Sequence, residues 1–318
     1  MKNKKILIVT HQFLPQVSPR TTRWSLLIDE LISKGNEVTV LSGTDPENIE
    51  KNYKILYFGN KQFSYNINKI RQNSQDSSNN SIKKISYSVL KKIYRFLFKT
   101  FSWPDYAMFW AFTIYKNRKH IENDFDIIIS VSLPFTSHLC AHILKKRINA
   151  QWYMDIGDPF TLKTYSPENN KIIYSYLNKF FERKFYKNAS KIIFTHNEVA
   201  ELHKKKFNID SSKIVIGYPI ALLNNDIIRS SLSFNYKDTP LKIGYFGAFT
   251  KSVREPNNYI INIANSLGDK TKHEWYINEE SKKYFSSIND ITFHQFLEIL
   301  PRKLALEVMV NKIHILLS

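Results

Sequence analysis

Cysteine is nearly absent. Cys140 is the one thiol in 318 residues, so no disulfide can form within the chain. It sits in an apolar stretch, where a thiol behaves as a small core residue, and nothing asks for an oxidising compartment. No signal peptide is expected either. The start MKNKKILIVTHQFLP is basic, but its apolar run stops at His11 and is too short for a secretory apolar core. No segment reaches the ~18 uncharged apolar residues of a membrane-spanning helix. The expectation is a cytoplasmic protein. Several chemistries lack their motifs: there is no Walker loop, no G-x-G-x-x-G after the first strand and no H-E-x-x-H among the nine histidines. A G-x-S-x-G elbow is absent, as are the cysteines of a zinc site and any nucleic-acid reader motif. Nucleic acid is therefore not expected as a partner.

Acidic residues are scarce. There are 28 against 46 lysines and arginines, a net charge of +18. That balance favours anionic partners such as phosphorylated substrates or lipid surfaces. The abundance of Asn, Lys and Ile offers a plainer alternative, a compositional bias.

What is present reads as globular. Hydrophobic residues make up 43% and aromatics 14%, and the length suits two domains. KILIVT (5–10) predicts a β-strand. Trp24, Leu27, Ile28, Leu31 and Ile32 then recur at helical spacing, and Gly35 closes that helix. EVTVL (37–41) follows as a second strand, so the unit is strand–helix–strand with parallel strands. Further strands are expected at 54–58, 126–131, 151–155, 191–195 and 213–217, then at 241–246, 273–277, 290–294 and in the closing HILLS. The expected architecture is α/β. A doubly wound domain spans 1–215, a linker 216–240, and a smaller second domain 241–318.

One segment departs from this alternation. After the polar stretch 73–81, residues 82–99 read as a basic amphipathic helix. Ile82, Ile85, Val89, Ile93 and Phe96 share one face, with Lys84, Lys91, Lys92, Arg95 and Lys99 roughly opposite. Such a helix either lies on an anionic membrane surface or packs on its own domain with a solvated basic side.

Ligands of open α/β sheets sit in loops beyond the carboxyl ends of strands. Three such loops carry chemistry. In HQFLPQVSPRTTRW, Arg20 and Arg23 stand at a helix start, where backbone N–H groups attract anions; a structural role is the alternative. In WYMDIGDPF, Asp155 and Asp158 flank Gly157. Two such carboxylates either bind a sugar hydroxyl or act as a base, or they form an Asx-type turn. In IGYFGAFTKSVREP, Gly247 precedes Lys251 and Arg254. Glycine allows close backbone approach and the cations suit a diphosphate, or this is a plain strand–turn–helix.

Taken together these loops resemble glycosyltransferase family 4, a two-domain GT-B group, and most closely the bacterial enzymes of capsule, O-antigen and other surface polysaccharides. RTTRWSLLIDELISKGNEVTVLSG resembles the family's first helix and second strand, with Asn36 at a family histidine. WPDYAMFWAF (103–112), DIIISVSLPFTSHLCAHILKK, WYMDIGDPF, LKIGYFGAFTKSVREP and LPRKLALEVMVNKIHILLS resemble later family segments in the same order. Gly157 stands where the family usually has arginine, and Phe160 where it has tryptophan.

The resemblance implies transfer of a sugar from a nucleotide diphosphate donor, taken as a UDP-sugar, to a glycan or lipid-linked acceptor. It implies retention of anomeric configuration, no metal and no other cofactor. The donor's diphosphate would meet Gly247, Lys251 and Arg254. The acceptor would lie near Ser18, Pro19 and Arg20 and near Asp155 and Asp158, and these two acids with His138, at a family position close by, would be the catalytic residues. Segment 82–99 would face the membrane at the inner side of the cell envelope. Family members continue past a strand like HILLS with a sugar- and ribose-binding loop that holds an E-x7-E pattern, and ~60–80 further residues are expected there. Without that region two alternatives stand beside an active transferase. One is a non-catalytic remnant, or one half of a split enzyme. The other is a sugar-nucleotide epimerase of the same fold.

Overall fold

The computed structural model of the chain describes residues 3–16, 18–46, 49–59, 100–164, 167–218, 240–247, 249, 266–282, 294–300, 302–311 and 315–317. Segment 82–99, Lys251 and Arg254 lie outside these residues. The chain divides into two compact units, 1–220 and 221–318.

The first unit is built on seven strands: β1 (Lys5–Thr10), β2 (Glu37–Ser42), β3 (Lys54–Tyr57), β4 (Ile127–Val131), β5 (Gln151–Ile156), β6 (Lys191–Phe194) and β7 (Ile214–Ile216). They form one parallel sheet in the order β3-β2-β1-β4-β5-β6-β7. Among the described residues five α-helices accompany them: α1 (Pro19–Ser33), α2 (Met108–Asn117), α3 (Thr136–Lys145), α4 (Lys171–Asn188) and α5 (Asn197–Phe207). The strands are covered on both faces, which explains their near-continuous apolar runs. Side chains alternate across the sheet. Leu7 and Val9 join a core with residues of α2, α3, α4 and α5, while Ile6 and Ile8 join a second core with Trp24 and Ile28 of α1.

Helix α1 shows how local chemistry sets these elements. The Ser18 side chain accepts the Thr21 N–H at 3.1 Å and caps the helix, with Pro19 as the first helical residue. At the other end Gly35 takes φ +82°. Its N–H bonds Ile32 O and the Asn36 N–H bonds Leu31 O, the pair of bonds that ends a helix through a left-handed residue. Asn36 adds a side-chain bond to Leu31 O and accepts the Lys4 N–H. It thereby ties the helix end to the start of β1.

The second unit has a parallel sheet of order β10-β9-β8-β11, from β8 (Leu241–Phe246), β9 (Thr271–Tyr276), β10 (His294–Leu297) and β11 (Ile315–Leu317). The short α6 (Glu279–Lys282) and α7 (Arg302–Asn311) lie between them in sequence. Of the strand expected at 290–294 the described part is His294, which opens β10 and pairs with His273 of β9. Residues 290–293 are outside the described set.

Candidate functional site

In the first sheet the strand order reverses between β1 and β4, and a crevice beyond the carboxyl ends of such strands is where α/β sheets take ligands. Arg20 stitches the loops there. Its Nη1 donates to Leu133 O after β4 at 2.6 Å, and its Nη2 reaches Asp158 Oδ2 after β5 at 3.4 Å. Arg20 itself stands in the first turn of α1, directly after the β1 loop. Three loops thus meet on one guanidinium.

Asp155 and Asp158 are separated by this architecture. Asp155 still belongs to β5 and is buried. One Nη1 of Arg23 lies 3.0 and 2.9 Å from its two oxygens, and Trp24 Nε1 donates to Oδ2 at 2.8 Å. Arg23 also donates to Gly217 O at 3.3 Å. Burial raises the Asp155 carboxyl, and Arg23 offsets part of that effect. Asp158 lies past the strand end with half its side chain in solvent. Of the two, only Asp158 faces a ligand-accessible surface.

His138 is fully buried at the start of α3. Its Nδ1 lies 2.7 Å from Ser130 Oγ, which also accepts Trp152 Nε1–H at 2.8 Å. Its Nε2 has no partner among the described residues. Burial pulls the imidazole down to about 3, so it is neutral at neutral pH. Ser18 and Pro19 form the cap described above. Gly157 N donates to Ser132 Oγ at 3.2 Å.

Several residues absent from the sequence expectations complete the rim. His11, after β1, packs edge-on against Tyr106 and Trp110 with centroids 5.5 and 5.2 Å apart. Its backbone N–H reaches Ser137 Oγ at 3.3 Å, and burial lowers its imidazole to about 4. Gln12 Nε2 donates to Tyr106 Oη at 2.7 Å. Asp105 is buried and accepts Thr136 N–H, Thr136 Oγ1–H and Ala107 N–H at 2.9, 2.6 and 2.9 Å. It caps α3 from a distant loop, and burial lifts its carboxyl to about 6. The WPD tripeptide is accounted for, since Trp103 Nε1 bonds Asn178 Oδ1 and Pro104 O accepts from Asn169.

A third buried acid contacts the chain just past Asp158. Glu182 of α4 accepts Thr161 N–H at 3.2 Å and Tyr186 Oη–H at 2.7 Å. His203 Nε2 is 3.8 Å from Glu182 Oε1, and its Nδ1 donates to Val199 O. Burial raises Glu182 to about 7. The sequence signal for Glu182 was its place on the inner stripe of α4, with Asn178, Phe185 and Tyr186.

In the second unit Gly247 follows β8 with φ +155°, a conformation open to glycine, and its N–H bonds Tyr276 O at 3.1 Å. Among the described residues no cluster of three or more His, Cys, Asp or Glu side chains could hold a metal ion. No helix among them is long and apolar enough to cross a membrane.

Two doubly wound parallel α/β units define a GT-B fold, the architecture expected from the sequence. Solved structures agree. A glycosyltransferase from Rickettsia africae is 12% identical with a TM-score of 0.54, over 98% of this chain and 72% of that one. A sucrose-phosphate synthase from Thermosynechococcus elongatus is 11% identical with a TM-score of 0.59, over 99% and 75%. A lipopolysaccharide outer core galactosyltransferase is 12% identical with a TM-score of 0.55, over 97% and 71%. No curated protein matches by sequence. The model of Glycosyltransferase Family 4 matches residues 22–219, more than half the chain. The chain belongs to that family.

Proposed function

We propose that the chain serves transfer of a sugar from a nucleotide diphosphate sugar, taken as a UDP-sugar, to a glycan or lipid-linked acceptor in surface-polysaccharide assembly. Family membership supports the reaction class. The lipopolysaccharide galactosyltransferase of the same fold supports the acceptor class. The observation that carries the reading is the exposed Asp158 carboxylate, held by Arg20 where the loops after β1, β4 and β5 meet.

In the proposed reaction the acceptor hydroxyl oxygen bonds the anomeric carbon as the bond from that carbon to the diphosphate oxygen breaks. The hydroxyl proton passes to the diphosphate oxygen that is released, and the nucleoside diphosphate departs. Asp158 accepts a hydrogen bond from an acceptor hydroxyl, and Arg20 fixes its direction. Asp155 acts through Arg23 and Trp24 as a positioning group. His138, neutral and enclosed, frames the β4–α3 loop. Ser18 and Pro19 set the start of α1 and so the place of Arg20. Gly247, Lys251 and Arg254 are proposed for the diphosphate, where cations stabilise the departing charge without a metal. An anionic membrane surface is the further partner proposed for 82–99, and nucleic acid is not a partner.

The test uses the full chain with a panel of nucleotide sugars and membranes bearing polyprenyl-linked glycans. Transfer of label to lipid is expected with one donor, falling about 100-fold in Asp158→Asn with nucleotide binding retained. Calorimetry with UDP is expected to show binding that weakens about tenfold in Lys251→Ala. No label transfer from any donor overturns the reaction. Equal transfer by Asp158→Asn overturns the site.

A further inference from the structure

Helix α4 has an outward face unlike that of an ordinary surface helix. Toward the core it buries Asn178, Glu182, Phe185 and Tyr186. On the other side Ile172 is 93% exposed and Tyr176 81%, with Phe180 also in solvent. Single exposed apolar side chains are normal, but contiguous ones mark a surface that meets something. Ile172, Tyr176, Lys179, Phe180 and Arg183 follow the i, i+4, i+7, i+8, i+11 spacing of one helical stripe. Phe101 adds to its apolar end, being 71% exposed and next to Thr100, whose carbonyl accepts Tyr174 Oη–H from α4.

The charge on this face has one sign. Lys179, Arg183, Lys184 and Lys187 are exposed, and the only carboxylate of the helix, Glu182, is buried. Lys184 Nζ stands 5.9 Å from the Phe180 ring centroid. The apolar side chains cluster in the first half of the helix and the cations in the second. Helix α2 has the same character: Phe112 is exposed under Lys116 Nζ at 4.4 Å, and no acid occurs between 106 and 121.

We infer that the outer face of α4 docks on an anionic lipid bilayer. Its first half enters the headgroup boundary and its second half lies on lipid phosphates. A helix with bulky apolar and aromatic tips beside lysines and arginines matches that medium on both counts. A second copy of the chain is a poor occupant, because it would bring the same cations face to face on a molecule of charge +18. The inference stands apart from sugar transfer, since binding is read without turnover, and it concerns residues distinct from 82–99.

The experiment is co-sedimentation of the full chain with vesicles of phosphatidylcholine alone or mixed with phosphatidylglycerol, at low and high salt. Binding is expected to the anionic vesicles, weakened by salt. Two double variants divide the face: Ile172→Glu with Tyr176→Glu, and Lys179→Glu with Arg183→Glu. Each is expected to lose about tenfold or more in vesicle affinity with an unchanged melting temperature, because all four side chains are exposed. Wild-type affinity in both variants overturns the inference. Loss in the cationic variant alone reduces the face to a plain basic patch and also overturns it. A dimer in light scattering that the Ile172 variant dissolves overturns it in favour of self-association. A melting temperature lowered in both variants sends the test to single Ile172→Ser and Lys179→Ser, and wild-type affinity in both of those overturns it.

Discussion

Arg23 holds Asp155 through one nitrogen, Nη1, at 3.0 and 2.9 Å from the two carboxylate oxygens. Both groups are largely out of water. Removing one partner therefore strands the other. Asp155→Ala is expected to cost about 3–5 kcal/mol, read from urea unfolding. The pair Arg23→Met with Asp155→Leu is expected to recover much of that loss. A cost below about 1 kcal/mol for Asp155→Ala would mean the ion pair is solvated in solution.

Glu182 gives the stability a pH signature. Its carboxyl is lifted from 4.5 to about 7 by burial. The folded chain therefore binds more protons than the unfolded one between those values. The sign follows: the buried neutral acid is accommodated at pH 4.5 and below, and stability falls as pH rises through 7. The groups facing it are Tyr186, His203 and the Thr161 N–H. Glu182→Gln keeps an acceptor and removes the ionisation. The melting temperature of the variant relative to wild type should rise between pH 5 and pH 8, by the equivalent of a few kcal/mol. A constant difference across that range would show that the carboxyl ionises freely.

Asp105 supports α3 from outside the helix. Asp105→Ala removes three acceptor contacts, including that of the Thr136 N–H. A loss of about 2–3 kcal/mol is expected. Asp105→Asn should lose less, because one acceptor oxygen remains. Equal losses in the two variants would count against the capping role.

The fold does not require glycine at position 157. A Cβ there would meet only Ser132 O at 3.8 Å, an ordinary contact. Gly157→Ala should be neutral or gain about 0.4–1 kcal/mol through the unfolded chain, with unchanged urea slope. A clear loss of stability would show that the backbone at 157 is less accommodating than its geometry.

The fold was largely legible because two-sided burial writes parallel strands as continuous β-branched runs. KILIVT and DIIISV could hardly be anything else, and Gly35 marks the turn that closes α1. The site was less legible. Asp155 and Asp158 look alike in sequence, yet the penultimate residue of β5 is buried and the second residue beyond the strand faces solvent. The partner that decides the role of Asp155 is 132 positions away. Glu182 could be seen only as an acid on an apolar stripe; that Thr161 and His203 converge on it comes from tertiary packing.

The His11 ring rests on Gly43 so closely that a Cβ at 43 would come within 2.4 Å of its Cδ2. The order in which these positions can change is therefore constrained. A lineage that shrinks His11 first opens residue 43 to larger side chains and, with them, a reshaped crevice rim. One that enlarges residue 43 first must displace the imidazole from Tyr106 and Trp110. The two positions, 32 apart in the chain, behave as a single heritable unit.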